Sequence, residues 1–221
     1  MMISVEEQQN LLLRVARHLE KPLTVYAVGG TAMMFLGLKD ATLDLDLVFE
    51  TESERKIFSH SLERLGYKKM DSVIVYGERK NRPEMYTRGE ERFDLFVVHV
   101  VHFDFSKQMR DRAKDTHQFD KNLFLKIANP HDLILMKCAT NRKKDLDDAR
   151  QIIERVKIDW NIIVEEAKNQ IKLGIHTAAF ELGEFLEKLK YELKLEIPIK
   201  VLDILFKLVQ NQAKEKLKKE R

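Results

Sequence analysis

The sequence predicts an α+β protein with two parts, a strand-bearing first part over residues 1–128 and a helical second part over residues 129–221. Three observations predict this. Short apolar or alternating runs bounded by Gly, Pro and Asn recur through the first part, the signature of strands. Nearly every segment beyond residue 130 carries apolar residues at helical spacing. Between them stands Asn129-Pro130, a good N-cap followed by a residue suited to the first helical position. A hydrophobic content of 44% is enough for one medium domain, or a smaller one with an appended helical unit.

The elements follow in order. Ser4-Val5-Glu6-Glu7 has the pattern of a capping box, and Leu11, Leu12, Val15, Ala16 and Leu19 mark the apolar face of the helix behind it. Residues 23–28 form a short apolar strand, 31–36 a short helix, and 43–49 a second strand. Residues 53–65 read as a helix ending at Gly66. Residues 72–76, 84–87 and 92–98 are strand candidates, punctuated by Gly77, Asn81, Pro83 and Gly89. Residues 123–128 form a weaker strand. Helices are expected at 130–140, 142–156, 159–173, 175–193 and 198–220, with Asp159 a cap, Gly174 a stop and Pro198 a start.

Composition narrows the function classes. No apolar run approaches the roughly eighteen residues of a membrane-spanning helix, so no membrane partner is expected. The N-terminus does not have the cationic form of a signal peptide. The lone Cys138 excludes an internal disulfide framework, fits a reducing cytoplasm, and is expected to be a small buried hydrophobe. The net charge of +3 argues only weakly for nucleic acid. Its excess sits in Lys214, Lys216, Lys218, Lys219 and Arg221, a pattern open to a solvated helix end or an RNA-binding tail.

The chemistry concentrates around Gly29-Gly30-Thr31 and Asp44-Leu45-Asp46. In a strand, Leu43, Leu45 and Leu47 point one way and Asp44 and Asp46 the other. Two carboxylates held side by side repel unless a cation sits between them, and hard oxygen ligands suit Mg²⁺. Paired glycines before a helix let backbone N–H groups approach a phosphate closely. Asp94 alternates with Phe93 and Leu95 and shares a face with Arg92 and Phe96. It could join the pair, or be a polar residue on a wet face. Lys137 lies on a mostly apolar helix and must snorkel out or reach an anion. Asp145 and Asp148 share a helix face. The alternative there is a surface cluster in which Lys143 and Lys144 pair with Asp147 and Asp148.

Other candidates are weaker. His99 and His102 are spaced for opposite faces of a strand and make a poor metal pair. Trp160 is expected to anchor a helical bundle, and Phe180, Leu182, Phe185 and Leu189 to form core at helical spacing. Nothing in the sequence singles out Phe103 and Phe105 for base stacking.

The Gly29-Gly30-Thr31 turn, the Asp44-x-Asp46 strand, Asp94 on a later strand, and Lys137 followed by Lys144-Asp145-x-x-Asp148 together resemble the nucleotidyltransferase superfamily of DNA polymerase β-like fold. Within it the chain looks like the AbiEii-type toxin branch. The resemblance spans roughly residues 23–150. It implies a mixed sheet flanked by helices and makes residues 1–128 the nucleotidyltransferase domain; residues 129–221 are expected to be a helical domain on their own apolar spacing. It implies transfer of NMP from an NTP such as ATP to an acceptor, RNA of tRNA type or a protein, and a toxin or antitoxin partner. Asp44, Asp46 and Asp94 would be catalytic and would bind Mg²⁺ or Mn²⁺. Gly29, Gly30 and Thr31 would hold phosphates, Lys137 would stabilise triphosphate charge, and Asp145 would orient Lys137 or contact the acceptor. A fold retained for nucleotide binding without turnover is the alternative from another class.

Overall fold

The computed structural model describes residues 3–78, 80–140 and 142–219. Asn141, in the block after Lys137, and Arg221, in the terminal charge run, lie outside the described residues. The chain divides into two compact units, Met1–Asn129 and Pro130–Arg221.

In the first unit, α1 (Val5–Ala16) opens on the expected capping box. Ser4 Oγ accepts from Glu7 N at 3.2 Å, and the Glu7 carboxylate accepts from Ser4 N at 2.7 Å. The helix buries Leu11, Leu12, Val15 and Ala16. Next come β1 (Leu23–Ala27), α2 (Gly29–Phe35), β2 (Leu45–Phe49) and α3 (Glu52–Arg64). They are followed by β3 (Lys68–Met70), α4 (Val73–Tyr76), β4 (Glu84–Arg88) and β5 (Glu91–Val97). The small hairpin β6 (His99–Val100) and β7 (Phe103–Asp104), α5 (Lys107–Arg112), β8 (Thr116–Phe119) and β9 (Leu123–Ile127) complete the unit.

The described strands form one mixed sheet in the order β3-β4-β5-β2-β1-β9-β8, with β6 and β7 extending from β5. Two pairings are parallel, β1 with β9 and β2 with β5; the others are antiparallel. The fold class is α+β, a mixed sheet flanked by helices: α2 and α3 pack against β2, α3 against β5, and α1 against β8. Under the sheet the rings of Phe49 and Phe93 both meet Phe58, at 5.4 and 6.0 Å between centroids. All three are fully buried, so this aromatic stack anchors β2 and β5 to α3.

Several expectations fail here for physical reasons. Residues 72–76 are not a strand: Asp71 Oδ1 accepts from Val73 N at 2.9 Å and starts the turn of α4, and Gly77 ends it at φ 61°. The apolar Ile74 of that turn is 75% exposed. Leu43 does not share the face of Leu45 and Leu47. It is exposed, because Thr42 forms a backbone bridge with Ile3 and the strand begins only at Leu45. The edge strands β3 and β8 and the polar helix α5 have no apolar period and were not expected. Phe103 and Phe105 are core, with the Phe105 ring 5.2 Å from that of Tyr26. His99 pairs through Nδ1 with Asp104 across the hairpin.

The second unit is helical: α6 (Pro130–Lys137), α7 (Lys143–Arg155), α8 (Trp160–Lys172), α9 (Ala178–Tyr191) and α10 (Ile199–Lys219). Asp159 caps α8, its Oδ1 accepting from Asn161 N at 3.0 Å. Helix α9 packs against α8 and α10. Leu182, Phe185 and Leu189 are buried as expected, but Phe180 is 51% exposed. Two residues from Leu182 is about 200° around a helix, so the stripe that buries Leu182 turns Phe180 outward. Cys138 is buried, and its Sγ donates to Leu135 O at 2.9 Å. Burial pushes its thiol pKa well up. No described helix is long and apolar enough to cross a membrane.

Candidate active site

Backbone register builds the site. In the parallel β2–β5 pair, Asp46 stands directly opposite Asp94. Asp44 precedes Asp46 by two residues at the mouth of β2. One carboxylate oxygen from each of Asp44, Asp46 and Asp94 lies within 4.8 Å of the others. Asp94 is fully buried, Asp44 nearly so, and Asp46 half-buried.

The residues around the triad fix its members. The buried Thr31 hydroxyl accepts from Asp46 N at 2.8 Å and points its proton at Asp44 O, 3.4 Å away. Thr31 thereby ties the first turn of α2 to the backbone at Asp44 and Asp46. Thr42 Oγ1 donates to Asp44 Oδ1 at 3.3 Å, and the Tyr76 hydroxyl donates to Asp94 Oδ2 at 2.7 Å. Arg92 lies among the carboxylates. It forms a close ion pair with Asp44 Oδ2, donates to Asp94 Oδ2 at 3.3 Å, and holds its Nε 3.2 Å from Asp94 Oδ1. That last contact is poorly aligned, and Asp94 Oδ1 is buried without a hydrogen bond.

Burial pushes the Asp94 carboxyl above its ordinary pKa, and the opposing influence of Arg92 and the Tyr76 hydroxyl does not bring it back. Three converging hard oxygen donors, one with an orphaned buried lone pair, suit a divalent cation of the magnesium type. These donors, rather than the fold class, are what make the site chemically fit for a metal.

The glycine turn is shaped by the same carboxylates. Gly29 has φ +56°, and a Cβ built there would stand 2.4 Å from Asp46 Oδ2. A Cβ on Gly30 would stand 2.5 Å from Thr42 Oγ1. Both glycines therefore sit where the first turn of α2 presses on the residues that carry or orient the triad. The N–H groups of this first turn lie outside the helix's own hydrogen-bond ladder.

Lys137 and Asp145 come together in the second unit. Lys137 is buried, with Nζ 3.2 Å from Asp145 Oδ1 and in closer contact with Asp148 Oδ2. Asp145 also accepts from Arg142 Nε at 2.8 Å and from the Thr140 hydroxyl. Burial alone would raise its pKa. The hydrogen bond from Arg142, the charge of Lys137 and the Thr140 hydroxyl outweigh burial and hold it below the ordinary value. Asp148 is buried in contact with Lys137 rather than standing in a surface cluster.

Sequence reasoning missed Arg92, Tyr76 and Thr42 as partners of the triad. The signal for Arg92 was present, two residues before Asp94 on the same strand face. Asp148 stood in the Lys144-Asp145-x-x-Asp148 block but was given no role of its own. Tyr76 was obscured by the strand expected over 72–76, and nothing local marks Thr42.

A family model described as "Nucleotidyltransferase of unknown function (DUF6036)" matches residues 2–179, most of the chain. The chain belongs to that family. Among solved structures this nucleotidyltransferase-family chain is similar to ANT(2″)-Ia in complex with adenylyl-2″-tobramycin. The TM-score is 0.46 at 16% identity, covering 82% of this chain and 98% of that one. No curated protein matches the chain.

Proposed function

We propose that the protein is a metal-dependent nucleotidyltransferase that moves a nucleoside monophosphate from an NTP to an acceptor hydroxyl. The observation that carries this is the convergence of Asp44, Asp46 and Asp94 beside a glycine turn that leaves no room for a Cβ. Asp44, Asp46 and Asp94 would hold Mg²⁺ or Mn²⁺. Such a cation would supply Lewis-acid chemistry, neutralising charge on the phosphates. Asp94, whose carboxyl burial makes more basic, takes the proton of the acceptor hydroxyl. The acceptor oxygen then attacks the α-phosphorus in line, the bond from that phosphorus to the β-bridging oxygen breaks, and pyrophosphate leaves. Gly29 and Gly30 bring backbone N–H groups to the phosphates. Thr31 serves by holding Asp44 and Asp46 in place.

For Lys137 and Asp145 the geometry supports an ion-pair cluster inside the second unit. The nucleotide contact that the family resemblance implies for them is tested by the NTP affinity of Lys137→Met.

RNA is proposed as the acceptor, with a toxin–antitoxin setting, on the resemblance of the motifs to the AbiEii-type branch. The test is incubation with Mg²⁺, each α-labelled NTP, and total RNA or total protein. Label in RNA that is absent with Asp46→Asn supports the proposal. Label in protein moves the acceptor to a polypeptide, and NTP binding without transfer points to a binding module.

A further inference from the structure

We infer that Arg92 is a built-in counter-cation of the carboxylate triad, one that occupies Asp44 and Asp94 until a divalent cation displaces it. The inference rests on the metal-dependent reading above and concerns what stands in the site before the metal. One carboxylate oxygen from each of Asp44, Asp46 and Asp94 lies within 4.8 Å of the others, and like charges held that close repel unless an opposing charge lies among them. Arg92 supplies that charge from two residues upstream of Asp94 on the same face of β5.

The use of each oxygen shows why the guanidinium and a metal compete. Asp44 Oδ1 takes the Thr42 proton, so Oδ2, its other oxygen, is the one Arg92 holds. Asp94 Oδ2 takes the Tyr76 proton, and Oδ1 faces Arg92 Nε at 3.2 Å without alignment. The guanidinium thus lies against Asp44 Oδ2 and Asp94 Oδ1, the oxygens that Thr42 and Tyr76 do not use, and stands where a metal would reach them. A guanidinium on a flexible stem leaves such oxygens by swinging away from them. The Arg92 side chain is 22% exposed, which gives it an outward path.

The competition has a direction that a supporting role lacks. If Arg92 merely braced the ligands, removing it would weaken metal binding. As a competitor, its removal strengthens binding. Mn²⁺ binding is measured by calorimetry without nucleotide in the wild type, Arg92→Gln and Arg92→Lys. Arg92→Gln is expected to bind Mn²⁺ about 10- to 100-fold more tightly, the equilibrium factor of one charged hydrogen bond. Arg92→Lys, whose ammonium is a point charge without the planar fork, falls between. Metal-free Arg92→Gln should melt lower than the wild type and gain more from Mn²⁺. If Arg92→Gln does not fold, Arg92→Lys decides by itself. Affinity unchanged or weakened in the folded variants overturns the inference and leaves the metal site standing. No Mn²⁺ binding by any form, the wild type included, overturns the inference and the metal-dependent reading together.

Discussion

Replacing Gly29 by Ala should cost this protein much of its chemistry and little of its fold, and Gly37→Ala provides the control. Both glycines lie in the left-handed region, at φ +56° and +68°. An alanine there costs about 1–2 kcal/mol of backbone strain. For a chain of this size that lowers the melting temperature by several degrees, at about 2–4 °C per kcal/mol. The surroundings differ: a Cβ at Gly37 meets nothing within 4 Å, whereas at Gly29 it stands 2.4 Å from Asp46 Oδ2. That is roughly 1 Å inside ordinary van der Waals contact. The atom that must give way is the tip of a rotatable side chain, so the clash is relieved cheaply by moving the carboxylate. A misplacement of about 1 Å at a reacting centre can cost on the order of 100-fold in rate. Thermal melts of both variants should therefore be similar. Calorimetry with Mn²⁺ and a labelled-NTP transfer assay should show loss of metal affinity and transfer only in Gly29→Ala. Equal Mn²⁺ affinity in the two variants would refute the argument that the glycine exists to make room for Asp46.

Asp46→Asn should abolish transfer while leaving the metal-free protein equally or more thermostable, because it relieves like-charge repulsion in the triad; a large drop in its melting temperature would count against this. Lys137→Ala removes the cation shared by two buried aspartates and should destabilise the second unit by about 3–5 kcal/mol, measured by urea unfolding. Asp145 is held below its ordinary pKa, so its contribution to stability is full above the unfolded value of about 3.9 and is lost as the pH falls through the lower folded value. Acid titration followed by circular dichroism should show a steeper loss of helix in the wild type than in Asp145→Asn. Cys138, buried with a raised thiol pKa, should resist iodoacetamide in the native protein and react once unfolded.

Much of the fold was legible because its central elements obey simple periods. The capping box at Ser4 and the apolar faces of α1 and α9 are local properties, as is the alternation in β5. The edge of the sheet was not legible in the same way. Strands β3 and β8 exist because β4 and β9 offer unpaired backbone to them, not because Lys68–Met70 or Thr116–Phe119 carry a pattern. At the site, alternation was enough to put Asp44 and Asp46 on one face and Asp94 on a neighbouring strand. What alternation could not supply were partners reached through tertiary folding. Tyr76 comes from a turn between strands, and Thr42 is set by a bridge to Ile3 at the other end of the unit. Leu43 and Phe180 show the converse error: for Leu43 a period was extended beyond the strand that enforces it, and for Phe180 a residue off the buried stripe was counted on it.

The pairing of Asp46 with Asp94 across β2 and β5 makes the metal-ligand set a property of hydrogen-bond register rather than of side-chain packing alone. A slip of one residue between these strands would bring Phe93 or Leu95 opposite Asp46, and Asp94 would no longer stand there. Asp94 thus joins Asp44 and Asp46 only when the parallel pair zips and leaves them when that pair opens. Amide exchange along β2 and β5 would accordingly clock the lifetime of the site itself. A substitution that loosens this ladder from the core side, Phe58→Ala under the sheet for example, would shorten that lifetime without altering a ligand.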